Sequence, residues 1–234
     1  YYDSILEMKK IRVDQDDNIY LVGTADVFDV ISLVVHKFDS NGDIVTDFGE
    51  EGMAYLDASE LYYSYGNDIF IANDGNLYVV GDVYSGDIYM DEAIVAKFSE
   101  NGDLVGSFGL NGYVKTDTSV VSDDTKGFGV VVQDDIIYVS GTMYARDIGT
   151  YGAFIASFDT DGNENTDFGE EGYNFTNQIF SSNSYFSGQL SLHDDKLIIG
   201  GNIKYSSYYQ AMIMRFDLQG ELDDSFDEDG YMTA

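Results

Sequence analysis

The chain of 234 residues lacks cysteine, proline and tryptophan altogether. Without cysteine it has no disulfide framework and no thiolate chemistry. Without proline its turns must rely on Gly, Asn and Asp, which tolerate the backbone angles that tight turns require. No run of roughly 18 apolar residues occurs, so the sequence predicts no membrane-spanning helix.

Positive charge is also scarce, because 11 Lys and Arg residues face 43 Asp and Glu residues, giving a net charge of −32. Such a polyanion does not bind a phosphate backbone or an anionic membrane without a local basic patch, and the sequence shows no basic run. We therefore expect neither nucleic-acid binding nor membrane insertion. The charge favours solubility and association with cations, and it does not point to a fold.

The sequence motifs of nucleophilic, zinc and nucleotide chemistry are absent as well. The two histidines share no metal-ligand spacing: His36 is predicted to be packed on a strand and His193 to be exposed beside a turn. Carboxylates are so numerous that no glycosidase pair can be singled out. No catalytic residue is therefore assigned, and we expect a protein that is not an enzyme.

What the chain does contain is one block of sequence repeated four times. FDSNGDIVTDFGEEG at 38–52 returns as FSENGDLVGSFGLNG at 98–112, FDTDGNENTDFGEEG at 158–172 and FDLQGELDDSFDEDG at 216–230. The leading phenylalanines lie 60, 60 and 58 residues apart. A fixed period of this size is typical of repeat architectures.

The second repeat shows the strand pattern most clearly. Residues 66–73, 77–83, 93–98 and 113–117 are predicted strands, and DGN in the first gap is a predicted hairpin turn. The third strand of every repeat is apolar on both faces, which favours stacked blades over a flat sandwich.

The predicted fold is therefore all-β: a β-propeller built of four repeats of about 58–60 residues, each a four-stranded antiparallel blade. The repeats cover approximately 1–60, 61–120, 121–180 and 181–234 of a single domain, 1–234. Because the chain begins at Tyr1, we expect a processed product or a segment of a longer protein.

The four blocks resemble the delta-60 repeat β-propeller family of bacterial proteins. The shared pattern is a Gly-x-Asp strand, a DG turn, an apolar strand ending in Gly, and a block of the form RF-x-x-x-G-x-x-D-x-x-FG-x-x-G. It covers nearly the whole chain, with departures at Asp227, Ser157 and residues 8–10. The resemblance implies a secreted or cell-surface location and no established activity.

Aromatic residues distinguish the two ends of the predicted blades. One end carries the tight Asp- and Gly-rich turns that join the first strand to the second and the third to the fourth, while the other carries longer, Tyr-rich loops. Tyrosines on loops suit contact with sugars, peptides or proteins. Alternatively, the rings seal the blade edges. The candidate ligand-binding residues are Phe28, Tyr62, Tyr63, Tyr84, Tyr89, Tyr144, Tyr151, Tyr185, Tyr205, Tyr208 and Tyr209.

The tight turns offer a candidate for weak calcium binding. DTDGN begins like an EF-hand loop, but its Gly stands at the fourth position and an EF-hand needs it at the sixth. We therefore interpret the segment as a hairpin turn and expect no cofactor, with Asp159, Asp161 and Asn163 as the only candidate ligands. A cation also precedes the leading Phe in three repeats and is predicted to pair with the acidic turn; these are Lys37, Lys97 and Arg215.

The leading functional hypothesis is a non-enzymatic, extracellular binding or adhesion scaffold that contacts a glycan or a protein through its Tyr-rich end. One alternative is a propeller hydrolase or lyase acting on polysaccharide. A second is a structural subunit of a surface array or filament, in contact with copies of itself. Exposed apolar faces on the end blades would favour the alternative of a structural subunit.

Overall fold

A computed structural model describes the chain over eight stretches, residues 4–57, 61–85, 90–116, 124–145, 149–176, 184–185, 189–205 and 208–234. These stretches contain seventeen β-strands and no α-helix. Since the described residues include no long apolar helix, none of them forms a candidate membrane-crossing helix.

The strands follow the repeats, one blade to each. Blade 1 consists of β1 Ser4–Val13, β2 Ile19–Val27, β3 Val30–Phe38 and β4 Met53–Tyr55. Blade 2 consists of β5 Tyr63–Ile71, β6 Leu77–Ser85, β7 Met90–Phe98 and β8 Tyr113–Lys115. Blade 3 consists of β9 Asp124–Gln133, β10 Ile136–Ala145, β11 Thr150–Asp159 and β12 Tyr173–Phe175. Blade 4 consists of β13 Ser184–Tyr185, β14 Leu190–His193, β15 Lys196–Tyr205, β16 Tyr208–Asp217 and β17 Tyr231–Thr233.

Each blade is an antiparallel meander. The sheets run β1-β2-β3-β4, β5-β6-β7-β8 and β9-β10-β11-β12, each strand paired with its neighbour in sequence. In blade 4 two short segments, β13 and β14, both pair with β15 and together take the place of a first strand. The predicted fold class is confirmed: the chain is an all-β propeller of four blades, one for each repeat.

Several strands are longer than predicted at the Tyr-rich end. The prediction ended the second strand of repeat 2 at residue 83 and began the third at 93, whereas β6 continues to Ser85 and β7 begins at Met90. In blade 1 only Phe28 and Asp29 separate β2 from β3. The prediction failed here because Tyr and Val favour strands as strongly as they mark contact loops.

A repeated glycine on the second strand is explained by a bulge in the first. The register between these strands shifts beside Gly23, Gly81 and Gly141. A Cβ added at any of the three would lie about 2 Å from a backbone carbonyl oxygen of the bulged strand. The first strand therefore approaches so closely that only glycine fits opposite it.

The chain divides into two compact units, Tyr1–Lys115 and Thr116–Ala234, and each contains two blades. In the first unit one apolar core joins blade 1 to blade 2, with Val22, Val35 and Phe48 packed among Leu77, Ile94 and Phe98. In the second unit the corresponding core joins blade 3 to blade 4 and includes Ile155, Phe168, Ile199, Met214 and Phe216. Stacking of this kind covers faces that a single blade would leave in water.

Candidate functional site

The Tyr-rich end of blade 1 contains a cleft of about 270 Å³. Its lining comes from the β2–β3 hairpin, the end of β4 and the segment just before β5. The residues that line it are Val27, Phe28, Val30, Ser32, Tyr55, Leu56, Asp57 and Leu61. A concave site lined mainly by apolar and aromatic groups, with a few polar ones, is the common form of a small-ligand site.

One wall of the cleft is a strained hairpin turn. Phe28 and Asp29 have φ angles of 53° and 66°, so both central residues of the two-residue turn lie in the left-handed region. Glycine or asparagine normally occupies such positions, and a bulky aromatic residue there is strained. Phe28 nevertheless occupies the first position and is 57% exposed. A strained residue that places an apolar ring in water is a reason to look for function at that point.

The facing wall is Tyr55, at the end of β4. Its ring meets the Phe28 ring edge to face, with the centroids 6.4 Å apart. Its hydroxyl donates a hydrogen bond to Glu50, with 3.3 Å between the oxygens. Burial, and then the nearby Glu50 carboxylate, raise the pKa of Tyr55. The phenol therefore stays protonated, and the two rings form an apolar corner above buried Leu56 and Leu61.

Polar groups complete the lining. Ser32 is buried, and its hydroxyl donates to the carbonyl oxygen of Val30 at 3.2 Å. Asp57 is exposed at the rim. The described lining of the cleft thus combines two rings suited to stacking with a carboxylate acceptor.

A row of tyrosines follows directly from the cleft. Tyr62 is the residue after Leu61, and its backbone N–H donates to the carbonyl oxygen of Tyr84 at 3.2 Å. Tyr63 lies between the two, with ring centroids 6.5 Å from Tyr62 and 6.3 Å from Tyr84. Because Tyr63 and Tyr84 are also cross-strand partners, packing on the sheet fixes the row.

In the second unit the predicted tyrosines lie mainly on strands. Tyr144 and Tyr151 are cross-strand partners in blade 3, with their rings 4.8 Å apart. Tyr208 and Tyr209 begin β16, and each is 57% exposed. Tyr89 lies outside the described residues, and so do the side chains of Tyr185 and Tyr205.

The structure therefore corrects one reason for choosing these residues. The candidates predicted on loops that are instead strand residues are Tyr63, Tyr84, Tyr144, Tyr151, Tyr185, Tyr205, Tyr208 and Tyr209. Phe28 lies in the turn between β2 and β3 and belongs to the cleft, and Tyr62 lies on the segment just before β5. Sequence reasoning missed Tyr55, Leu56 and Leu61, which come to the cleft from the end of β4 and the segment just before β5. The two-residue spacing of the β2–β3 hairpin, Val-Phe-Asp-Val, was the available signal.

The calcium candidate is a hydrogen-bonded turn. One carboxylate oxygen of Asp159 accepts the backbone N–H groups of Asp161 and Asn163, at 3.0 and 2.8 Å, and the other accepts the Asn163 side-chain amide. Desolvation would raise the pKa of Asp159, but these hydrogen bonds outweigh it and lower the pKa. The same pattern recurs at Asp39 and Asp217, and Ser99 reproduces it with a hydroxyl. Whether calcium binds here stays a prediction.

The histidines lie where the sequence predicted. His36 is half-buried on β3, its ring centroid 6.4 Å from that of Phe38, and burial lowers its pKa. His193 is exposed beside a turn, 3.3 Å from Asp194.

The repeated cation behaves differently in different blades. Arg215 pairs with Asp223 at 2.8 Å, as predicted. Lys37 lies instead over aromatic rings, 5.2 Å from the centroid of Tyr20 and 5.6 Å from that of Phe48. The ion-pair prediction was wrong for Lys37, whose ammonium group makes cation–π contacts with the anchoring aromatic residues of its blade.

Comparisons with known proteins give a fold likeness and no assignment. No family model matches the chain, and no curated protein sequence matches it. Among solved structures, a GH32 beta-fructofuranosidase from Bombyx mori, in a mutant form with sucrose, is 12% identical with a TM-score of 0.46. The same enzyme without that mutation is 13% identical with a TM-score of 0.45. In each case the match covers 97% of this chain and 48% of the enzyme, so this chain spans about half its length.

Proposed function

We propose that this chain is a non-enzymatic, extracellular binding module, and that the cleft between Phe28 and Tyr55 takes a glycan. The observation that carries the proposal is the Phe28 turn, where a strained backbone holds an exposed ring opposite a second ring. Aromatic rings stack on the apolar faces of sugars, and an acceptor such as Asp57 hydrogen-bonds sugar hydroxyls. The extracellular location rests on the resemblance to delta-60 repeat proteins.

The net charge of the chain restricts the class of glycan that we expect to bind. A protein of net charge −32 repels anionic polysaccharides at long range, so we expect a neutral or cationic glycan. The tyrosine row of Tyr62, Tyr63 and Tyr84 begins next to Leu61 and offers further ring surface for the same ligand. A chain of several sugar units is therefore a better fit than a single sugar.

Hydrolysis of polysaccharide is less well supported. A glycosidase acid needs a raised pKa so that it is protonated when it acts. Four of the described carboxyl groups have a lowered pKa; these are Asp14, Asp39, Asp159 and Asp223. These four are unsuited to the role of the acid.

The test is Phe28→Asn, measured for both binding and stability. Asparagine tolerates the left-handed backbone, so the variant should unfold at the same or a higher urea concentration than the parent. Binding to a panel of neutral and amino-sugar oligosaccharides, measured by calorimetry, should fall at least about tenfold, a loss of roughly 1.4 kcal/mol.

The matched control is Leu110→Asn, an exposed residue in a tight turn of blade 2. It should leave binding unchanged. A panel on which the parent binds no oligosaccharide, or binding that survives Phe28→Asn, would overturn the proposal.

A further inference from the structure

Blade 1 and blade 4 each carry an apolar sheet face with exposed residues. We call the face of a blade that points to the preceding blade its leading face and the opposite one its trailing face. In blades 2 and 4 the leading face is packed against blades 1 and 3 respectively. The leading face of blade 1 and the trailing face of blade 4 belong to neither of these two packed contacts.

The leading face of blade 1 is exposed at positions that other blades bury. Ile11 on β1 is 56% exposed, whereas Ile69, at the same position of blade 2, is fully buried. Phe38 is half-buried, whereas the matching phenylalanines of the other three blades are fully buried; these are Phe98, Phe158 and Phe216. This face is built by the same repeat, and at these two positions it is more exposed than the matching positions of the other blades.

The trailing face of blade 4 is likewise exposed at positions that the other blades bury. Ile213 on β16 is 39% exposed, and the matching Val35 of blade 1 is fully buried. Phe226 is half-buried, whereas the matching Phe48, Phe108 and Phe168 are almost fully buried. Together the two faces are the halves of one contact that the chain makes elsewhere within itself.

The same backbone hydrogen bond joins the two blades within each unit. In the first unit the N–H of Gly49 donates to the carbonyl oxygen of Asn101 at 2.7 Å. In the second unit the N–H of Gly169 donates to the carbonyl oxygen of Gln219, also at 2.7 Å. We call this bond the latch. The glycine after each acceptor lies so close to the preceding blade that an added Cβ would collide with it; these are Gly102 and Gly220.

Both halves of a further latch are present on the end blades. Asp227 of blade 4 occupies the position of Gly49 and has a φ of 52°, against 56° for Gly49. Asn41 of blade 1 occupies the position of Asn101. Gly42 has a φ of 87° like Gly102, but no heavy atom lies within 4 Å of the place where its Cβ would be. The acceptor turn of blade 1 is thus shaped for a latch and open to solvent.

We infer that blade 4 of one copy docks onto blade 1 of a second copy, head to tail, through the latch and the two exposed faces. The contact repeats one that the chain makes within each unit, which is why a second copy is the partner that fits. A head-to-tail contact closes into a ring or extends as a filament, according to the angle between copies. It is independent of the proposed glycan site.

Net charge opposes this assembly at low salt. Two copies of charge −32 repel each other, and salt screens that repulsion. We expect the mass in solution to rise above the 26.0 kDa of one chain on going from about 0.01 M to about 1 M salt, at a protein concentration of about 100 μM. Light scattering that gives one chain mass at both salt concentrations would overturn the inference.

Two variants test which faces are used. Ile11→Asp places a charge on the leading face of blade 1, and Ile213→Asp places one on the trailing face of blade 4. Because both residues are exposed, neither change should unfold the chain. Each variant should remain a single chain at high salt, whereas Leu110→Glu, an exposed residue away from both faces, should assemble like the parent. Assembly that survives both aspartate variants would contradict the inference.

Cross-linking tests the latch itself against a background free of cysteine. Asn41→Cys and Asp227→Cys chains, mixed at high salt and treated with a short bis-maleimide, should give a covalent pair of the two chains. A mixture of Asn41→Cys and Leu110→Cys chains, treated in the same way, should give no covalent pair. If the parent assembles but only the control pair, or neither pair, cross-links, the copies meet through another surface and the latch is wrong.

Discussion

The two compact units are built from the same repeats, yet they bring their first strands together by different chemistry. In the first unit Asp68 is fully buried and accepts a hydrogen bond from Arg12 at 2.9 Å, with the Lys10 ammonium 3.8 Å away. In the second unit the matching residues are Gly129 and Gln189. Gly129 packs so closely on blade 4 that an added Cβ would lie 2.3 Å from the nitrogen of Leu190, and Gln189 is exposed. The first strands of two stacked blades can therefore be joined at this position either by a buried ion cluster or by a close backbone contact.

Asp68→Ala should have the largest effect of the changes considered. It would leave the Lys10 side chain, 9% exposed, without its carboxylate. Burial already lowers the pKa of Lys10, and the Asp68 charge opposes that change. Removing one member of a buried ion cluster costs about 3–5 kcal/mol. Urea unfolding would measure the loss.

Two companion variants make the result specific to the ion cluster. Lys10→Met added to Asp68→Ala should recover much of the stability, because the stranded charge is then gone. Gln189→Ala, the same position in the second unit, should change the free energy of unfolding by no more than about 0.5 kcal/mol. If Asp68→Ala and Gln189→Ala lowered the free energy of unfolding equally, the loss would depend on the position in the blade and not on the charge of Asp68.

The ion cluster of Lys10, Arg12 and Asp68 was not predicted from the sequence. Lys9, Lys10 and Arg12 lie together in a chain with only 11 cations, at the place where the repeat pattern departs from Gly. That concentration was the available signal. What the sequence could not provide is the partner, because Asp68 lies 56 residues from Arg12 and meets it only once two blades are stacked.

Periodic features, in contrast, were predictable. The number of blades and the order of their strands follow from apolar patterns that recur in every repeat, so errors in one copy are corrected by the others. The ends of strands and the cleft at Phe28 are not periodic. They depend on the length of one hairpin and on residues brought in from β4, and no repeat confirms them.

A pair of glycine variants measures the contact between blades directly. Gly102 and Gly42 have nearly equal φ angles, 84° and 87°, so replacement by alanine strains the backbone equally, at about 1 kcal/mol. At Gly102 the added Cβ would also lie 2.6 Å from the nitrogen of Gly49, whereas at Gly42 it meets nothing. Gly102→Ala should therefore cost about 1–3 kcal/mol more than Gly42→Ala in urea unfolding.

The second unit sharpens this measurement. At Gly220 the added Cβ would meet the ring of Phe168 at 2.8 Å, and a ring yields more readily than a backbone nitrogen. We expect Gly220→Ala to lie between the other two variants. If Gly42→Ala destabilised the chain as much as Gly102→Ala at low salt, where the chain is not assembled, backbone strain alone would explain both.

The smallest effect compares the hairpin turns of the two units. Asp159→Ala removes an acceptor of two backbone N–H groups and should cost about 1 kcal/mol. Asp159→Ser should cost less, because Ser99 makes the same two contacts in blade 2 at 3.3 and 3.2 Å. Urea unfolding of both variants at neutral pH checks the order.

The stability of the parent and that of Asp159→Ser should depend differently on pH in the acid range. The folded pKa of Asp159 lies below its ordinary value of 3.8, so the unfolded chain takes up the proton first as pH falls. The contribution of Asp159 is therefore complete above pH 3.8 and is lost as the pH drops below that value toward the folded pKa. Asp159→Ser does not titrate, so its deficit relative to the parent should shrink in acid. A deficit that stays constant from neutral pH to below pH 3.8 would mean that the negative charge of Asp159 does not stabilise the turn.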